Sequence, residues 1–435
     1  MNAFILFYNS LLTMFMVAGS PILAALLAGK PKHRAGLLDK LLAVVPVRRN
    51  GHAPIWYHAV SVGEVMASIP LLRGMREAFP HSPLWVSTVT STGRRTALQR
   101  AAGLIDEIFY FPFDMPWTID KVIRRMSPLA YVTMETEIWP NCLWRLKWHN
   151  IPVILVNGRI SDGSFVWYRR FALLFRRVVS QFDLLCMQSQ EMAERIVRLG
   201  AEPKRVKVTG NLKFDLELPQ EGAGERWSAE LGLQEGRKVL VFGSTHPGEE
   251  VIILRVYRRL RERYPELKVI LAPRSPERFD EVASLVKEMG LTLARRSLSQ
   301  RADQAQVLLL DTIGELSQVY CVADAGFVGG SLIPRGGHNP LEIAAHGKAV
   351  LFGPHMNNFR EISTLLVNGG GAMMVRSEGE LTEVLEELLS DEQKRVKMGR
   401  NARETLMRHQ GATQRTLCAL RGLLKDVRLL APVCN

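Results

Sequence analysis

Apolar runs of four to six residues recur along the 435-residue chain, most of them stopping at Gly, Ser, Thr or Pro. They cover Ile55–Ala59, Leu84–Thr88, Ala130–Met134, Pro152–Asn157, Leu184–Gln188, Val206–Thr209, Val239–Gly243, Lys268–Ala272, Val307–Leu310, Ala325–Val328 and Ala349–Phe352. Segments with helical spacing fill the intervals, among them Glu191–Leu199, Glu249–Tyr264 and Arg278–Met289. Strands this short, apolar on both faces and separated by helices, fit parallel sheets covered by helices on either side. The polar, acidic and Gly-containing stretch 216–237 follows one such set and precedes another. The reading is two α/β domains of similar size with a cleft between them, closed by a late helical stretch, Asp391–Leu424.

Charge is unevenly distributed. The net charge is +13, and residues 30–49 hold six Lys and Arg against Asp39 alone. The residues before them, Met1 to Gly29, carry no charged side chain. That length matches the roughly 20 apolar residues that cross a bilayer. A cleaved signal peptide would carry its positive charge ahead of the apolar run, not behind it. The expectation is therefore an uncleaved N-terminal membrane anchor, with the body on the cytoplasmic side by the positive-inside rule. Gly19, Ser20 and Pro21 suggest a kink or a shallow, monotopic insertion. Arg-Arg recurs seven residues apart among aromatics in Trp167–Phe171 and Phe175–Arg177, which suits either a basic face on anionic lipid or a core helix whose arginines reach solvent. No nucleic-acid-binding motif is present. Five scattered cysteines without a CxxC pair give neither a disulfide framework nor a zinc ribbon.

Ligands of open parallel sheets sit beyond the carboxyl ends of the strands, so the loops there are the places to look for chemistry. After Ile55–Ala59 comes Ser61-Val62-Gly63-Glu64. Ser61 and Glu64 have capping-box spacing, and Glu64 is equally a candidate general base. At a helix N-terminus its pKa is expected to be low, keeping it ionised. Thr90–Arg95 brings hydroxyls, Gly93, Arg94 and Arg95 to a helix start, suited to a phosphate or to a solvated cap. Glu135-Thr136-Glu137 places two carboxylates beside Trp139 at a strand end, as acid/base groups or as the start of a helix. Asn157–Ser161, with Arg159, repeats the pattern one strand later, and Gly210–Asp215 brings a cation, Lys213.

The second half offers Gly243–Gly248, which lacks the Gly-Lys-Ser/Thr of a P-loop, and Ala272–Arg278, with Arg274 after Pro273. Thr312–Leu316 follows, and Phe327–Leu332 is not a GxGxxG fingerprint. Gly336–Glu342 is the most informative segment: Asn339 reads as an N-cap, Pro340 as the first helical residue, and Glu342 as the closing member of Asn-x-x-Glu. The two preceding glycines add close backbone approach, and the whole suits a nucleotide. No Asp-x-Asp pair and no His/Cys cluster suggests a metal.

Taken together, HAVSVGE (58–64), STVTSTGRRTA (87–97), METEIWPN (134–141), NGRIS (157–161), GNLKFD (210–215), FGSTHPGEE (242–250), APRSPERF (272–279), DTIGEL (311–316), FVGGSL (327–332) and GGHNPLEIAAHGKAVLFGPHMNNFREI (336–362) resemble the 3-deoxy-D-manno-octulosonic acid (Kdo) transferases, in family order. The resemblance implies a GT-B glycosyltransferase, with two Rossmann-like domains facing a cleft. Residues 1–29 would be the anchor, 30–216 the acceptor-binding domain, 217–410 the CMP-Kdo-binding domain and 411–435 a C-terminal helix and tail. It implies inverting transfer of Kdo from CMP-Kdo to a hydroxyl of a lipid A precursor (lipid IVA) at the inner membrane, in lipopolysaccharide biosynthesis. By motif, Glu64 would be the general base, and Glu135 and Lys213 would assist the transition state. Pro273, Arg274, Gly314, Glu315, Leu316, Asn339, Pro340, Leu341 and Glu342 would contact CMP. Ser61, Arg94, Arg95 and Arg159 are the candidates for the acceptor. No cofactor or metal is expected, and CMP-Kdo is the donor substrate. The alternative is a UDP-sugar transferase or epimerase of the same fold acting on another envelope precursor.

Overall fold

The computed structural model describes residues 3–28, 31–48, 51–234 and 236–430. Gly29, Lys30, Arg49 and Cys434, all used in the sequence reading, lie outside the described residues.

Seven strands form the first sheet: β1 (Ile55–His58), β2 (Leu84–Thr88), β3 (Glu107–Tyr110), β4 (Ala130–Met134), β5 (Val153–Gly158), β6 (Leu184–Met187) and β7 (Val206–Val208). Their order is β3-β2-β1-β4-β5-β6-β7, and every neighbouring pair is parallel. Alternate residues feed opposite cores. Trp56, Val153 and Leu155 join one cluster, whereas Ile55, Tyr57, Ile154 and Val156 join the other. This is why β1, β2 and β4 read as unbroken apolar runs rather than alternating ones. Each fully buried large side chain contributes about 1.5–3 kcal/mol, and Trp56, Tyr57 and Tyr131 are all at zero exposure.

The second sheet repeats the plan with β8 (Val239–Thr245), β9 (Lys268–Pro273), β10 (Leu293–Arg295), β11 (Val307–Leu309), β12 (Ala325–Val328), β13 (Ala349–Phe352) and β14 (Ala372–Met374). Its order is β10-β11-β9-β8-β12-β13-β14, again parallel throughout. β3, β10 and β14 were not among the runs read from sequence, and all three are edge strands.

The chain forms two compact units: Met1–Asp215 with Gln410–Asn435, and Leu216–His409. The polar stretch 216–237 is not simply a linker. Within it the helix Ala223–Leu231 buries Trp227 and Leu231 in the second unit. The late helical stretch is two helices, Glu392–His409 and Ala412–Leu430, broken at Gly411, whose φ of +92° only glycine adopts readily. Asp215 fixes this break by accepting from the amides of Gly411 and Thr413.

The spanning anchor expected for residues 1–29 is not supported. Among the described residues no helix is long and apolar enough to cross a membrane. The Ala3–Ala28 helix is instead held against the first unit near its start. Tyr8 donates to Asp114 at 2.9 Å, and Asn141 donates to Asn9 at 2.7 Å. Further along, Met14, Phe15 and Val17 are exposed.

Candidate active site

In the first sheet the strand order reverses between β1 and β4, so the crevice beyond their carboxyl ends is the expected ligand position. Two of the three catalytic candidates from the sequence, Glu64 and Glu135, follow those strands. β1 ends at His58, and Ser61 caps the helix Val62–Ala78, its hydroxyl oxygen accepting from the Glu64 amide. Glu64 turns back to accept from the Val60 amide and the Ser61 hydroxyl, each at 2.9 Å. The capping box is therefore real. The low pKa it implied is not: burial raises the Glu64 carboxyl to about 7, outweighing the Val60 hydrogen bond, with Glu135 and Glu137 adding repulsion. Desolvation wins because the side chain is only 9% exposed.

Glu135 follows β4 with φ +53°, in the left-handed region, a conformation that costs a non-glycine about 1–3 kcal/mol. The turn brings its carboxylate to Lys213, at 3.0 Å. Lys213 is placed by two asparagines. Asn157, at the end of β5 and also left-handed at φ +54°, accepts from the Leu212 amide, and Asn211 accepts from Lys213's own amide. Glu137 accepts from the Trp139 indole at 3.1 Å, and burial raises its pKa. Three carboxylates and one lysine thus converge on one crevice.

The acceptor candidates are dispersed around it. Thr90 ties its own helix start to the Val60 carbonyl, which places Ser91–Gly93 beside Ser61. Arg94 lies over the Tyr110 ring, 5.6 Å from its centroid, and Arg95 is exposed. Arg159 is held through its carbonyl, which accepts from the Thr136 hydroxyl.

The second unit is organised by two glutamates that sequence reasoning did not single out. Glu249, at zero exposure, accepts from the amides of His246, Gly330, Ser331 and Leu332 at 2.7–3.0 Å. Glu250 next to it pairs with Arg278 at 2.7 Å. One adjacent pair thereby ties together the loops after β8, β9 and β12. Two acidic residues opening the Glu249–Arg263 helix were the signal, but they read as ordinary first-turn acids. Gly329 completes the assembly, because a Cβ there would lie 2.3 Å from the Ser244 carbonyl.

Of the donor candidates, Pro273 ends β9 and the Arg274 amide donates to the Thr245 carbonyl at 3.0 Å. Gly314 is left-handed at φ +97°, and Leu316 lies against Gly243. The Glu315 carboxylate is bound by Arg296 and Thr312, which pulls its pKa down. Asn339 accepts from the Leu341 amide, as a cap does, but the helix opens at Leu341, after Pro340 rather than on it. Glu342 does not close a capping box among the described residues. Its carboxyl is raised to about 7 by burial, against the attraction of Arg274. The structure therefore gathers Arg274, Asn339 and Glu342 around one strand-end region, with Glu315 already paired.

The family model described as 3-deoxy-D-manno-octulosonic-acid transferase (kdotransferase) matches residues 30–216. The 3-deoxy-D-manno-octulosonic acid transferase of Haemophilus influenzae is 35% identical over 427 residues, 96% of this chain and 98% of that one. The chain belongs to the Kdo transferase family. The enzyme of the same name from Bordetella pertussis is 33% identical over 379 residues, 85% of this chain and 87% of that one. In fold, this Kdo transferase family member is similar to Anabaena HepE, crystallised with UDP and glucose. The TM-score is 0.55 at 16% identity, covering 86% of this chain and 99% of that one. A UDP-N-acetylglucosamine 2-epimerase gives 0.58 at 14% identity, covering 87% and 97%. These likenesses carry the GT-B-like two-sheet fold alone. The protein is accordingly a glycosyltransferase of the Kdo-transferring class, in lipopolysaccharide biosynthesis.

Proposed function

We propose that this enzyme moves Kdo from CMP-Kdo to a hydroxyl of a lipid A precursor, with inversion at the anomeric carbon. The observation that carries the reading is the convergence of buried Glu64 with the Glu135–Lys213 pair at the crevice of the first sheet. A carboxylate whose pKa lies near 7 is matched to general-base work at neutral pH. Glu64 takes the proton of the acceptor hydroxyl as that oxygen bonds to the anomeric carbon. The Glu135–Lys213 pair supplies fixed charge to the transition state. In the second unit, Arg274, the Gly314–Leu316 turn, Asn339 and Glu342 hold the nucleotide, Glu315 acting through the shape it gives that turn.

CMP is a good leaving group, and arginines can neutralise its phosphate, so we propose that transfer needs no metal. Among the described residues no three His, Cys, Asp or Glu side chains are grouped to hold one. We further propose that the enzyme works on the cytoplasmic side of the inner membrane, lying on the surface rather than spanning it. The exposed apolar residues of the Ala3–Ala28 helix support this. So do Trp167, Phe171 and Leu173, exposed beside Arg169, Arg170, Arg176 and Arg177.

The test is incubation of detergent-solubilised enzyme with CMP-Kdo and tetra-acylated lipid A precursor, with and without EDTA, read by mass spectrometry. Mass increments of one or more Kdo units, unchanged by EDTA, are expected. Absence of product, together with thermal stabilisation by UDP and not by CMP, would transfer the assignment to a UDP-sugar enzyme.

A further inference from the structure

In the second sheet the strand order reverses between β8 and β12, and two imidazoles meet at that point. His246 follows β8, and His338 precedes the Leu341–Ala345 helix. Their Nε2 atoms are 2.9 Å apart and their rings lie within 8° of parallel. A contact of that length needs one N–H and one lone pair, so both ε nitrogens cannot carry protons at once. The two rings form a single proton-sharing unit.

The charges facing the pair are mostly positive. Arg274, Arg278 and Arg335 act on His246, and Arg274 acts on His338. Of the carboxylates nearby, Glu249 is held by four backbone amides, Glu250 is paired with Arg278, and Glu342 faces Arg274. Burial and the guanidinium groups hold both imidazoles below their ordinary range, His338 to about 3. The pair is therefore neutral at physiological pH, and an added negative charge beside it favours protonation.

We propose that His246 and His338 take up one shared proton when a nucleotide phosphate binds beside Arg274 and Arg335, and deliver it to the departing nucleotide. The inference rests on the reading that this unit binds the donor nucleotide. In the transfer, the acceptor oxygen bonds to the anomeric carbon while the carbon–oxygen bond to phosphate breaks. The bonding pair leaves on the phosphate oxygen, the acceptor proton goes to Glu64, and the shared proton passes to the phosphate. The imidazole pair returns to neutral as CMP leaves as a monoanion.

Calorimetric titration of the full-length protein with CMP at pH 7.5, in two buffers of different ionisation enthalpy, counts protons exchanged on binding. Uptake of about one proton is expected for wild type. It falls towards zero in His246→Gln and His338→Gln, where CMP binding weakens about tenfold or more while cytidine binding is unchanged. CMP binding by wild type with no proton uptake overturns this inference and leaves the donor reading intact, whether or not either variant folds. Wild type that binds no CMP overturns both.

Discussion

Glu64 serves two purposes that pull its proton affinity in opposite directions. As the closing residue of a capping box it accepts from Val60 and Ser61, which favours the ionised form. As a buried group beside Glu135 and Glu137 it is pushed to about 7, and burial is the larger effect. Turnover should therefore rise with pH through about 7, as the base loses its proton. Glu64→Gln should remove the limb and lower kcat about 10²–10⁴-fold, with CMP affinity retained. A variant that stays folded at near wild-type turnover would remove Glu64 from the base role. Stability carries the opposite sign. Glu64 holds its proton more tightly folded than unfolded, so its cost to the fold grows as pH rises from the ordinary carboxylate range through about 7. The Gln variant should gain Tm over wild type at pH 8 and gain little at pH 5, by calorimetry. The cap was legible in Ser61-x-x-Glu64 because capping is local. The pKa was not, because it is set by residues that only the sheet order brings near.

At the scale of elements, the loops that shape the donor region hang on Glu249. Its carboxylate satisfies four backbone amides from two loops. Glu249→Ala would strand those donors in a buried site, a loss of about 3 kcal/mol or more. The second unit should melt earlier and lose CMP binding, although Glu249 need not touch the nucleotide. Unchanged CMP affinity in that variant would show that the loops hold their shape without it. Such a residue is hard to read in a sequence, since a glutamate in a first helical turn has a sufficient local explanation. The strands followed a similar rule. The central strands were legible because both faces are buried, as in the unbroken runs of β1, β2 and β4. β3, β10 and β14 escaped, being short and only partly buried edge strands, whereas β7, also at an edge, was legible. The Trp167–Arg177 segment sat between two readings, and its second half follows the core one. Phe175, Val178 and Val179 enter the core while Trp167 and Leu173 face outward, with a break at Phe171.

For the whole molecule, the proposed membrane contact and the path of the chain both turn on which surfaces are covered. If the exposed apolar and basic residues of 162–179 rest on lipid, Trp167→Ala with Leu173→Ala should reduce co-sedimentation with anionic vesicles. Soluble-donor binding should be unaffected, and equal sedimentation of variant and wild type would remove this face from the membrane contact. The uncharged N-terminus read as a membrane anchor, and its engagement by Asp114 and Asn141 was not legible because it depends on contacts across the fold. The other terminus is equally integrated. Leu417, Leu420 and Leu424 are buried in the first unit, and Leu417 sits where a Cβ on Gly74 would intrude. At about 1.5–3 kcal/mol for each buried leucine, their loss rivals the 5–15 kcal/mol that holds a typical domain together. A chain stopped at residue 410 should keep a protease-resistant second unit that CMP still stabilises, while the first unit is digested; resistance of both would show that the last helix is dispensable. The same feature sets an order on the ribosome. The second unit is continuous in sequence and can close as soon as its residues emerge, but the first must wait, with its sheet made and one flank open, until the helix Ala412–Leu430 has been made. The half of the enzyme synthesised first is thus the half completed last, and during that interval its apolar flank stays open to water.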